Sequence, residues 1–369
     1  MTLATAIKCV QCGKEFSPHL VIFECAECCG SLDIVYDYDR IRRQIVKDVF
    51  LREKVTHWKY APFFPIADLS KVVTLEEGGT PLIESSTKRD WLFKYEGINP
   101  TCSFKDRGST VEVSKANELG IKEVACATTG NMGASVATYC ARAGIQARIF
   151  VPSFAAPAKL KQIADMGAKI TIMRGTYDDA VQKTKELRVH KHIYLTGDYA
   201  YRGEGEKSVG FEIIDQFNWQ APDYIVLPVG NATLFSSTYK ALMELKTVGL
   251  LKRLPKLVAV QAAGCAPLVR AYRENADHIT PIKKPKTVAS AIACGNPVDG
   301  LKALRALKKT KGLAVMVTDQ EALTARKELA TKEGVYVEVS GAVSYAGAKK
   351  LGLKGQVVCV LTGHGLKGN

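Results

Sequence analysis

The chain has 369 residues, 47% of them hydrophobic and 24% charged, the balance of a soluble globular protein long enough for two or three domains. Its formal net charge is +14, yet the densest basic stretches, at 40–43, 283–286 and 302–311, interleave no aromatics with Lys and Arg. That argues against a base-stacking nucleic-acid surface and for a solvated face or a general pull on anionic ligands.

From the N-terminus, the first seven residues are too short for a signal segment, and no run of eighteen apolar residues follows. A cytoplasmic protein without a membrane span is expected. Eleven cysteines without a secretory signal point to thiols, metal ligands or core positions rather than disulfides. Cys9-Val10-Gln11-Cys12 and Cys25-Ala26-Glu27-Cys28 are two knuckles a dozen residues apart, the spacing of a four-cysteine zinc ribbon. Four thiolates would close the coordination sphere, so such a zinc is structural. The competing reading is buried or redox cysteines, with Cys29 an ambiguous fifth candidate. No basic recognition helix follows Cys28, and residues 31–36 read as a strand leaving the ribbon.

Residues 37–75 carry helical and irregular character, amphipathic over 40–51 and broken by Pro62 and Pro65. Beyond them, short apolar runs predict strands at 91–95, 123–127, 147–151, 169–173, 224–228, 257–261, 313–317 and 356–361. Helical patterns alternate with them at 132–143, 156–166, 177–189, 207–217, 234–246, 320–332 and 342–351. This alternation is the signature of a parallel α/β architecture whose strands are buried on both faces. Ligands in such folds gather at the C-terminal strand ends, where loops enter helix N-termini. Three junctions are polar and glycine-rich: Thr128-Thr129-Gly130-Asn131, Val229-Gly230-Asn231-Ala232-Thr233 and Thr362-Gly363-His364-Gly365. Together they suggest one shared cleft. The first two suit a carboxylate or phosphate, and Thr362 offers a neutral hydroxyl to a ring nitrogen.

Lys105 lies in Asn99-Pro100-Thr101-Cys102-Ser103-Phe104-Lys105-Asp106-Arg107-Gly108, read as a short loop behind a strand. A lysine so placed suits a Schiff base with a carbonyl cofactor. With Glu77-Gly78-Gly79-Thr80-Pro81-Leu82, residues 128–135, Tyr201-Arg202-Gly203-Glu204-Gly205-Glu206-Lys207, residues 227–231, residues 290–297 and residues 361–367, it resembles the fold type II family of pyridoxal-phosphate enzymes and, within it, the threonine synthases. Some members of that family also carry an N-terminal Cys-rich ribbon.

The resemblance implies a two-domain, tryptophan synthase β-like fold. Residues 1–36 would be the ribbon, 37–106 with 197–369 the large cofactor-binding domain, and 107–196 a smaller domain closing over the active site. It further implies pyridoxal 5'-phosphate joined to Lys105, with Asn131 at its 3'-oxygen, Gly230, Asn231, Ala232 and Thr233 at its phosphate, and Thr362 at its pyridine nitrogen. Thr128, Thr129 and Met132 would hold the substrate α-carboxylate, and Arg202 the substrate phosphate. A neutral threonine at the ring nitrogen weakens the electron sink and favours elimination and replacement at Cβ or Cγ. The implied reaction is that of a lyase or transferase of amino-acid biosynthesis, converting O-phosphohomoserine and water to threonine and phosphate, in a homodimer.

Four positions depart from the family pattern: Cys102 for Gly, Met132-Gly133 for Thr-Ser, Ala232-Thr233-Leu234 for a second Gly-Asn pair, and Thr196-Gly197-Asp198 for an Asn-Ser pair. An aspartate near a phosphate dianion repels it unless Arg202 or Lys207 intervenes. Cysteate synthase, which replaces the phosphate of O-phosphoserine with sulfite, is therefore the main alternative, ahead of other β-replacing or deaminating members. From another class, the chain could be a catalytically silent ribbon protein, against which Lys105 and Thr362 argue. Plainer roles also exist, since Arg202 could pair with Glu204 or Glu206 and Thr362 could satisfy backbone at a strand end.

Overall fold

The alternating strands and helices form two separate, largely parallel sheets in the computed structural model, which describes residues 2–45, 50, 53–153, 157–175, 177–191 and 193–368. The chain divides into two compact units, Met1–Glu77 with Lys105–Glu206, and Gly78–Phe104 with Lys207–Asn369.

In the first unit a four-stranded parallel sheet runs in the order Lys169–Met173, Gln146–Pro152, Glu123–Ala127, Tyr194–Thr196. Its centre is an apolar core in which Val124, Cys126, Val136, Tyr139, Ile149 and Val151 have no exposed surface. Contrary to the expectation of strands buried on both faces, Lys169–Met173 is an edge strand with Ile172 61% exposed. The same unit holds a small antiparallel sheet in the order Glu15–Phe16, Ala4–Cys9, Leu32–Tyr36. After it, Asp37 caps a helix at Tyr38–Gln44 by accepting from the Arg40 N–H, as an N-cap aspartate does. Most of the remaining helical expectation, residues 46–49 and 51, lies outside the described residues, as does Ala156, the expected start of the helix seen at Pro157–Asp165.

In the second unit a six-stranded sheet runs Leu313–Val317, Lys256–Ala262, Tyr224–Pro228, Val357–Leu361, Trp91–Tyr95, Leu82–Glu84. All neighbours are parallel except the last pair, which is antiparallel at the edge. The central strands are continuously apolar because both faces are covered. One exception is Lys94, buried within its strand, whose Nζ lies 2.7 Å from Glu212 Oε2 and 2.8 Å from the Thr80 carbonyl.

Lys105 is not on a loop but is the first residue of a helix, Lys105–Glu118. That helix carries no apolar stripe, so periodicity does not reveal it. Helices at Ala200–Glu206, Pro267–Arg273 and Gly300–Lys309 also add to those expected. No helix of the described residues is long and apolar enough to cross a membrane.

Candidate active site

Helix Lys105–Glu118 is polar in sequence yet buried from Asp106 to Ala116, which is possible only because its polar side chains find partners. Ser135 Oγ lies 2.6 Å from Asp106 Oδ1 and 2.7 Å from Ser109 Oγ, and Thr110 Oγ1 donates to the Val73 carbonyl at 2.7 Å. Helix Ala200–Glu206 comes unusually close to it. A Cβ on Gly205 would strike the Arg107 carbonyl oxygen, and one on Gly108 would lie 2.7 Å from Arg202 Cγ.

That approach assembles a charged cluster. Lys105 Nζ lies 3.1 Å from Glu206 Oε1 and 3.7 Å from Asp198 Oδ1, with its side chain 18% exposed. Arg202 has no exposed surface. Its NH2 group donates to Glu112 and, at 2.9 Å, to Ser109 Oγ, while its NH1 group donates to the Lys105 carbonyl at 3.2 Å and lies 3.6 Å from Glu206 Oε1. Burial pushes the Glu112 carboxyl up to about 7, although Arg202 and the Gly197 N–H pull it down. Burial also raises Glu206, against the pull of Lys105 and Arg202. Arg202 is thus already paired with a carboxylate, and Lys207 is as well, its Nζ lying 2.9 Å from Glu244 Oε2 in the second unit.

Also in the first unit, strand Glu123–Ala127 runs through Thr128, Thr129 and Gly130 into helix Asn131–Ala143. Gly130 has φ +147°, which side chains rarely adopt, and this lets the chain fold back so that Thr128 Oγ1 accepts from the N–H groups of Gly130 and Gly133. The N-cap residue Gly130 has no side chain to cap the helix, and Thr128 takes one N–H of its first turn, at the positive end of the helix dipole where an anion is favoured. Asn131 and Met132 are buried there and Thr129 is half-buried.

In the second unit, Tyr224–Pro228 and Val357–Leu361 are hydrogen-bonded neighbours, so the loops that follow them emerge side by side. The first passes Gly230 and Asn231 to Ala232, left-handed at φ +68°, which opens helix Thr233–Thr247 without a side-chain cap. Asn231 is held from two directions: the Cys294 thiol donates to its Oδ1 at 2.7 Å, and the Asp299 N–H to its carbonyl at 3.0 Å. On the second loop, the carbonyl of buried Thr362 accepts from the Phe104 N–H at 3.0 Å, and Gly363 bridges to Ser103.

Near the N-terminus the sulfur atoms of Cys9, Cys12, Cys25 and Cys28 all lie within 4.8 Å of one another, with Cys9 to Cys28 at 3.5 Å and Cys12 to Cys25 at 3.7 Å. Tetrahedral zinc with bonds of about 2.3 Å separates its sulfurs by about 3.8 Å, so this donor set fits the ion. Burial raises the Cys9 thiol, but N–H groups of Cys12 and Gln11 and the neighbouring thiols outweigh it and lower it. Against backbone hydrogen bonds that lower them, the sharing of protons among the close sulfurs raises Cys12 and Cys28, so one thiolate is favoured in the cluster at the expense of its neighbours. Cys29 is exposed and outside this group.

Sequence reasoning assigns no role to Glu112, and to Glu206 only a pairing with Arg202, which the structure shows at 3.6 Å. A signal existed for the first: Lys105, Ser109 and Glu112 stand at i, i+4 and i+7, one face of a helix. Arg202 and Glu206 have the same i, i+4 relation.

A family profile described as "Pyridoxal-phosphate dependent enzyme" matches residues 73–363. The threonine synthase of Methanocaldococcus jannaschii is 43% identical, the match covering 98% of this chain and 92% of that one, and the threonine synthase of Methanosarcina acetivorans is 44% identical with the same coverage. Among solved structures, maize serine racemase has a TM-score of 0.68 at 20% identity, covering 78% of this chain and 88% of that chain. The processed form of threonine deaminase isoform 2 from Solanum lycopersicum has a TM-score of 0.67 at 20% identity, covering 95% of each chain. These two show the shared fold; the closer sequence matches carry more. The chain belongs to the pyridoxal-phosphate-dependent enzymes and, within them, to the threonine synthase family.

Proposed function

We propose that this enzyme converts O-phosphohomoserine and water to threonine and phosphate, with pyridoxal 5'-phosphate bound at Lys105. The observation that carries the reading is the match to threonine synthases over 98% of the chain. The residues fit the cofactor: a half-buried lysine amine, two helix N-termini whose N-cap residues make no side-chain cap, and a buried threonine at a strand end. When bound, the cofactor supplies an electron sink that acidifies the substrate carbons next to the amino group.

The chain's own residues do the rest. Gly230, Asn231, Ala232 and Thr233 hold the cofactor phosphate at a helix N-terminus, Asn131 its 3'-oxygen, and Thr362 its ring nitrogen through a neutral hydroxyl. Thr128, Thr129 and Met132 frame the substrate carboxylate at the other helix N-terminus. Lys105, once released from the cofactor, moves protons at Cα and Cβ; the Cγ–O bond to phosphate breaks, and water adds at Cβ. For Arg202 the buried pair with Glu112 supports a bracing role, and the phosphate-facing role implied by the resemblance requires the guanidinium to leave that carboxylate. The same reading includes structural zinc on Cys9, Cys12, Cys25 and Cys28, a cytoplasmic homodimer, and division into the ribbon at 1–36, a large domain and a small one.

The test pairs two substrates. O-phosphohomoserine in water is expected to release phosphate and threonine, and Lys105→Ala to abolish both the absorbance shift that added cofactor shows on bonding to the lysine and the turnover. Phosphate release from O-phosphoserine only when sulfite is present would overturn the reading in favour of cysteate synthesis.

A further inference from the structure

We propose that Glu206 is the positioning residue for Lys105: its buried carboxylate aims the lysine Nζ and sets the pH range in which that amine is free to bond to the cofactor. The inference rests on Lys105 being the cofactor's lysine. Nothing in the family resemblance gives Glu206 a role.

The geometry is specific. Glu206 has no exposed surface, its Oε1 lies 3.1 Å from Lys105 Nζ, and its Oε2 has no hydrogen-bond partner among the described residues. Arg202 stands on the other side of the same oxygen at 3.6 Å, fixed by Glu112, Ser109 and the Lys105 carbonyl. The guanidinium therefore ties the lysine's own backbone to the carboxylate that holds its amine. A long flexible side chain is confined at both ends.

The charges lean against the ion pair even as contact favours it. Lys105 opens its helix, so its charge sits at the end where the helix dipole disfavours it. Burial pushes the Glu206 carboxyl up in the same direction. Among the charged groups of the described residues, Glu206 and Asp198 face the lysine amine within this unit, while Arg202 and, behind it, Glu112 face Glu206. Such a pair holds the amine in one place, as a lysine needs if it is to bond and release repeatedly. Removing the Glu206 charge removes the nearer anion, so the amine loses its proton at lower pH.

The experiment uses full-length protein stripped of cofactor. Covalent capture of added pyridoxal 5'-phosphate is followed as a function of pH by borohydride trapping and peptide mass, alongside circular dichroism and the thermal midpoint. Glu206→Gln is expected to keep the fold, move the pH midpoint of capture at least one unit lower, and reduce the plateau rate about tenfold. Glu206→Asp keeps the charge on a shorter arm, so the midpoint stays and only the plateau rate falls. A folded Glu206→Gln protein with an unchanged midpoint overturns the proposal. If that variant does not fold, Glu206→Asp decides, and a wild-type plateau rate overturns it. Capture at another residue in Lys105→Ala sinks the underlying assignment instead, separately from either Glu206 outcome.

Discussion

Cys102 adopts φ +63°, a left-handed conformation that costs an L-residue about 1–2 kcal/mol and costs glycine little. It is held there by its N–H donating to the Asn99 carbonyl at 2.7 Å and its carbonyl accepting from the His364 N–H at 3.0 Å. The place where the chain departs from the family's glycine is therefore one where glycine fits the backbone best, and the departure adds strain while leaving the loop path intact. Cys102→Gly is expected to raise stability by about 0.5–1 kcal/mol, since the entropy glycine adds to the unfolded chain offsets part of the relief. An upward shift in the denaturant midpoint checks this, and a downward shift would mean that the thiol packs more usefully than the strain costs. Lys105, Asn131, Asn231 and Thr362 were singled out in the sequence because they stand in runs of unusual residues beside glycines. Glu112 has no role in the sequence reading and Glu206 only a pairing with Arg202, because a lone carboxylate ordinarily marks a solvated face, and only the packed structure turns both inward.

Between elements, the decisive contact is the crossing of helices Lys105–Glu118 and Ala200–Glu206, and it runs against local propensity. Residues 200–206 include two glycines, each worth about 1 kcal/mol against a helix, so the segment reads from sequence as a polar motif and not as a helix. The packed structure uses Gly205 because any side chain there meets the Arg107 carbonyl. Gly205→Ala should therefore be far worse than a helix-favouring Gly→Ala change in open space. It is expected to destabilise the first unit by about 3 kcal/mol and to slow cofactor capture by spreading Lys105 from Glu206. Thermal unfolding and trapping kinetics read both effects. A stabilised variant would show that the helices separate freely. The parallel strands were far more legible than these helices, since a buried strand such as Tyr224–Pro228 must be apolar whatever its neighbours. The crossing depends on a close approach that no single segment encodes.

At the scale of the whole molecule, the cysteine cluster is tied to the lysine site through the fold of the first unit. Strand Leu32–Tyr36 leaves the cluster and ends in Tyr36, whose hydroxyl donates at 2.6 Å to buried Glu204, on the helix that also carries Arg202 and Glu206. Phe23, between the two cysteine pairs, packs edge-on against Tyr194 and Tyr199 at 5.1 Å, and Lys185 pairs with Glu24. A cysteine module this small has little core of its own, and if it holds the zinc proposed above, metal binding supplies much of its folding free energy. Zinc removal is therefore expected to act at a distance. Protein as purified should contain zinc in equal amount to chain, and a strong chelator should lower the thermal midpoint and slow cofactor capture at Lys105 without touching any residue of the lysine cluster. Tyr36→Phe isolates the link: it leaves all four thiols in place and removes one hydrogen bond to a carboxylate, at a cost of about 2 kcal/mol. The variant should retain zinc yet reproduce part of the loss in capture rate. If chelation removes zinc while capture and the midpoint stay unchanged, or if Tyr36→Phe captures cofactor as the wild type does, the ribbon is an independent module and the Tyr36–Glu204 bond transmits nothing.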